Sequence, residues 1–107
     1  LQKEVVKSIR WIPIVKVRFL GHLRTRLNID ELNIPVEGEI SLTDLLTRIS
    51  NLKPELQQII KSIVEYTSEY LLLINDVDIN VYGDLNKVKI RDGDTVVFVP
   101  VVHGGKE

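Results

Sequence analysis

Ser41-Leu42-Thr43-Asp44-Leu45-Leu46-Thr47-Arg48-Ile49-Ser50-Asn51-Leu52 is the stretch from which the rest of the chain can be read. Leu42, Leu45, Leu46, Ile49 and Leu52 recur at helical spacing and make one apolar stripe. Ser41 stands at the cap, with Asp44 three residues on, resembling a capping box with the shorter acid in place of Glu. The pattern stops over Asn51 to Pro54, and Pro54 suits the first turn of a second helix. That helix carries a second single stripe: Leu56, Ile59, Ile60, Ile63 and Val64. Two one-sided helices in succession need an apolar surface to cover, and strands on either side can supply it.

On the N-terminal side, Ile14-Val15-Lys16-Val17-Arg18-Phe19-Leu20 alternates apolar and basic residues, the period of a strand with one buried face. Gly21 breaks it, and residues 21–30 read as a polar connection anchored by Leu23, Leu27 and Ile29. Leu32, Ile34 and Val36 alternate again, a second strand antiparallel to the first, with Pro35 arguing for a sheet edge and Gly38 ending it. On the C-terminal side, Tyr70-Leu71-Leu72-Leu73-Ile74 is a continuous apolar run read as a buried central strand. Asn75-Asp76 turns the chain into a short strand around Asp78 to Asn80, and Tyr82 to Val88 is irregular. Arg91-Asp92-Gly93-Asp94 is a tight turn before the last strand, Thr95 to Val99.

Strands at both ends with two helices between them predict an α+β fold of the ubiquitin-like β-grasp kind, a mixed sheet with two helices on one face. Residues 1–13 form an N-terminal extension, 14–100 the folded domain and 101–107 a flexible C-terminal tail. At 107 residues there is room for one core.

Composition narrows the chemistry. Without cysteine there is no disulfide framework, thiolate metal site or thiol nucleophile. The two histidines, His22 and His103, lie far apart, and no phosphate-cradling glycine motif occurs. A self-contained enzyme and a resident metal are therefore not expected. Asp76-x-Asp78-x-Asn80 copies the start of a calcium loop, then fails at Val81 and Lys87, so turn chemistry is the better reading. No apolar run is long enough to span a bilayer, and Lys3, Glu4, Lys7 and Arg10 interrupt any secretory signal, so a cytoplasmic protein is expected. Charge is uneven: residues 1–26 carry a net +6 and the remainder −7. Solvated strand edges explain this more simply than steering of a partner.

The C-terminal segment carries the functional signal. After the turn and last strand come Pro100-Val101-Val102-His103-Gly104-Gly105-Lys106-Glu107. Together with Val15-Lys16-Val17-Arg18-Phe19, Ser41-Leu42-Thr43-Asp44-Leu45-Leu46, Leu73-Ile74-Asn75-Asp76-Val77-Asp78-Ile79 and Asp92-Gly93-Asp94-Thr95-Val96, this resembles the MoaD/ThiS sulfur-carrier group, which includes the ubiquitin-related modifier and archaeal small modifiers. The resemblance runs over residues 14–105. The second helix favours the MoaD-like and modifier-like branches over the ThiS type.

The resemblance implies a carrier that binds no cofactor itself. Its terminal glycine would be adenylated by a ubiquitin-activating-type enzyme that uses ATP and magnesium. It would then be converted to a thiocarboxylate or joined to a target lysine. The molybdopterin synthase large subunit is a further implied partner. Gly105 would bear the activated carbonyl, Gly104 would let a thin tail pass, and Val102 and His103 would lie at the mouth. This chain departs from the pattern in Lys106-Glu107, which tie the Gly105 carbonyl into an amide. Either a processing protease removes them or the tail is inert.

Two further readings concern surfaces. In the last strand Val96 and Phe98 point one way and Val97 and Val99 the other. With helices on one face only, Val97 and Val99, continued by Val101, either dock a partner or are covered by residues 1–13 with Trp11 and Ile12. The alternative function is a β-grasp binding module that grips nucleic acid through the basic head with Trp11 and Phe19. One Trp and one Phe make a poor stacking platform, so a nucleic-acid partner is not expected.

Overall fold

The structure is a computed structural model and describes residues 12–65 and 69–101. Its strands are β1 (Ile14–Phe19), β2 (Glu31–Pro35), β3 (Glu39–Ser41), β4 (Tyr70–Ile74), β5 (Val77–Asp78), β6 (Lys89–Arg91) and β7 (Thr95–Pro100). The helices are α1 (His22–Leu27), α2 (Leu42–Leu52) and α3 (Gln57–Val64), with 3-10 turns at Pro54–Leu56, Ile79–Val81 and Leu85–Lys87. Five strands form a mixed sheet in the order β2-β1-β7-β4-β5, and β3 and β6 form a separate ribbon. β7 lies in the centre, parallel to β1 and antiparallel to β4. This is the α+β, β-grasp arrangement the element order predicts.

One core holds it together. Val15, Val17 and Phe19 of β1, Ile34 of β2, Leu72 and Ile74 of β4, and Val96 and Phe98 of β7 all point to the same face. Leu42, Leu45, Leu46 and Ile49 of α2 and Ile60 and Ile63 of α3 pack into the same cluster. Burying such side chains contributes roughly 1.5–3 kcal/mol each before entropy is counted. The Ser41 hydroxyl accepts a hydrogen bond from the Asp44 N–H at 3.0 Å, the cap the sequence shows. β2 is an edge strand, as Pro35 indicates, and runs antiparallel to β1.

Several expectations need correction. The connection over residues 21–30 contains α1, whose Leu23 and Leu27, four residues apart, are buried in the core. The chain after Gly38 re-enters extended structure as β3, because Ile40 pairs with Ile90 and Glu39 with Arg91 across the ribbon. The strand expected at Asp78 to Asn80 is β5 at Val77–Asp78, after which the Asp78 carboxylate accepts from the Asn80 N–H and starts a 3-10 turn. β4 is not central, since only the two-residue β5 lies beyond it. Leu52 and Val64 fall off the core stripes and are exposed.

Candidate functional site

The tail leaves the sheet at the end of β7, and the surrounding chain fixes that point closely. The Leu20 N–H donates to the Phe98 carbonyl at 3.1 Å, and the Val101 N–H donates to the Glu69 carbonyl at 2.8 Å. Gly21 packs against Pro100, where a Cβ would come within 3.1 Å of the proline ring, and its φ of +61° favours glycine a second time. His22 meets the edge of the Tyr70 ring at 5.9 Å. The root of the tail is thus held between the start of α1 and the start of β4.

The opposite end of β7 is clamped by the Asp92-Gly93-Asp94 turn. The Asp92 carboxylate accepts from the Ile14 N–H at 2.8 Å, and the Gly93 N–H donates to the Ile14 carbonyl at 3.0 Å. Asp94 accepts from the Asn75 side-chain amide and from the Arg91 N–H. Asn75 in turn accepts from the Thr95 N–H at 3.0 Å. Residues that resemble a family motif in sequence therefore act structurally, joining the ends of β1, β4 and β7.

Val97 and Val99 lie on the sheet face away from the helices, and Val101 continues from them; all three are half-buried. The register adds two residues that the sequence reading missed. Leu73 pairs with Val97 and Leu71 with Val99, so four aliphatic side chains form the centre of the outer face. Lys16 and Arg18 of β1 are exposed on the same face, Arg18 in register with Val97 and with Glu31. Val102, His103, Gly104 and Gly105 lie outside the described residues, as does Trp11. At most about 3.6 Å per residue separates Gly105 from Val101.

Phe19 belongs to the core. It is 1% exposed and stacks on Phe98 with ring centroids 5.4 Å apart, so it presents no surface for a base. Among the described residues no cluster of three or more His, Asp or Glu side chains is placed to hold a metal ion. Among them, too, no helix is long and apolar enough to cross a membrane.

The family model Urm1 (Ubiquitin related modifier) matches residues 14–105. No match was found among curated proteins. Among solved structures, small archaeal modifier protein 1 from Methanosarcina acetivorans is 24% identical with a TM-score of 0.61, covering 88% of this chain and 98% of that one. Urm1 from Sulfolobus solfataricus is 25% identical with a TM-score of 0.51, covering 80% and 99%. The complex of subunits 1 and 2 of the molybdopterin-converting factor from Helicobacter pylori includes a chain 25% identical with a TM-score of 0.52, covering 86% and 99%.

Proposed function

The chain belongs to the Urm1 (ubiquitin related modifier) family, and from that premise we propose that it is a carrier activated at Gly105 once Lys106-Glu107 have been removed. The observation that carries this reading is where the family match ends. It spans residues 14–105 and stops on the second glycine, leaving Lys106 and Glu107 outside. Adenylation needs a carboxylate, and an internal glycine has none. A protease that cleaves after Gly105 supplies it.

An adenylating enzyme of the ubiquitin-activating type, with ATP and magnesium, then joins the Gly105 carboxylate to AMP and releases pyrophosphate. Sulfide-level sulfur displaces AMP to give the thiocarboxylate, or a target-protein lysine displaces it to give an amide. The chain itself catalyses neither step. It contributes a thin tail, Gly104-Gly105, rooted on the central strand, with Val102 and His103 at the mouth of the enzyme's channel. Val97, Val99 and Val101, joined by Leu71 and Leu73, form the surface on which the enzyme seats. A large subunit of the molybdopterin synthase type is a second partner for that surface, and the setting is cytoplasmic.

The test offers full-length and Gly105-terminated chains to a ubiquitin-activating-type enzyme from the same cell with ATP and magnesium. Pyrophosphate release and intact mass should report activation of the trimmed form alone. Gly105→Ala in the trimmed form should slow transfer and leave the fold intact. Equal activation of the full-length chain, or none of the trimmed one, refutes the reading.

A further inference from the structure

We propose that residues 1–12 of this same chain are the resident occupant of the outer sheet face. Leu71, Leu73, Val97 and Val99 form its centre, and Ile14 and Pro35 share the face where the N-terminal segment joins the sheet. Among the described residues nothing lies over it, because every helix sends its buried side chains into the core on the other side.

The segment carries a matching apolar set. Leu1, Val5, Ile9 and Ile12 recur at spacings of four, four and three, with Val6 and Trp11 beside them and Lys3, Glu4, Lys7, Ser8 and Arg10 between. That is the pattern of a single apolar stripe. The point of attachment is fixed, since the Pro13 carbonyl accepts from the Val36 N–H at 3.1 Å and Ile12 beyond it is 50% exposed.

Reach is sufficient. Val97 is in register with Arg18, four residues along β1 from Ile14, and Leu73 lies one strand further. That is roughly 13 Å along the strand and about 10 Å across it. Twelve residues span about 18 Å as a helix and about 40 Å extended. The charges on the face, Lys16, Arg18, Glu31 and Asp78, cancel, so the apolar match selects the occupant. Tethering holds that occupant at an effective concentration on the order of millimolar, ahead of any partner in solution. A docking enzyme must therefore displace residues 1–12.

Trp11 is the sole tryptophan and reports directly on this contact. In the full chain its emission should be blue-shifted, independent of protein concentration, and several-fold less quenched by acrylamide than in denaturant. Val5→Ser with Ile9→Ser should restore a water-exposed emission with no change in the melting curve. Val97→Lys should do the same from the other side. A water-exposed indole in the unaltered chain overturns the proposal, as does an emission unmoved by either variant. A blue shift that appears only as concentration rises assigns the face to a second copy instead, and also overturns it. The fluorescence result stands whether or not Gly105 is ever activated.

Discussion

Asn75 and Asp76 both adopt positive φ, 49° and 72°, between the antiparallel strands β4 and β5. Two left-handed residues in a row are the signature of the hairpin turn whose twist matches the flanking strands, and Asn-Gly is its preferred pair. Asn75 fits, and its side chain also bridges Asp94 and the Thr95 N–H. Asp76 tolerates the conformation but carries a Cβ that costs about 1–2 kcal/mol there. Asp76→Gly removes that cost and adds backbone entropy to the unfolded chain. The net expectation is a gain of about 0.5–1 kcal/mol, read as a higher urea midpoint with unchanged slope. A loss of stability would show that the Asp76 carboxylate makes a contact that outweighs its strain. The same substitution addresses the calcium-like spacing, because Asp78 is already engaged by the Asn80 N–H.

At the scale of elements, the chain announces what is long and periodic and conceals what is short. α2 is legible because eleven residues carry one stripe and Ser41 caps it. Ser41→Ala should therefore cost about 0.5–2 kcal/mol, measured by thermal or urea unfolding, whereas Ser41→Thr should keep most of the cap. A neutral Ser41→Ala would mean that β3, which ends on the same residue, sets the helix start instead. β3 and β6 have three residues each, too few for a period to stand out, and pairing with each other is what makes them strands. α1 is six residues between Gly21 and Asn28, and only burial of Leu23 and Leu27 distinguishes it from a loop. The outer face was half legible. Alternation separates Val97 and Val99 from Val96 and Phe98, but the unbroken run Tyr70 to Ile74 hides Leu71 and Leu73 until β4 is set in register with β7. The diglycine is legible as sequence and lies outside the described residues.

For the whole molecule, the decisive property is one-sidedness. Every described helix packs on one face of the sheet, and β7, which leads into the tail, runs through the middle of that sheet with Val96 and Phe98 fully buried on its inner side. Motion of the tail root would have to break pairings with both β1 and β4. A carrier gains from this, since the tail extends from a base fixed by pairing on both sides. One-sidedness also has a thermodynamic signature within a single helix. Leu46 and Leu52 belong to the same sequence stripe, yet Leu46 is 2% exposed and Leu52, the last residue of α2, is 58% exposed. Leu46→Ala should cost about 2–5 kcal/mol through lost burial and a residual cavity. Leu52→Ala should stay within about 0.5 kcal/mol, aided by the slightly better helix propensity of Ala. Denaturant midpoints of the two variants decide the matter. Comparable losses would mean that a second surface covers the C-terminal end of α2, and the one-sided account of the core would fail.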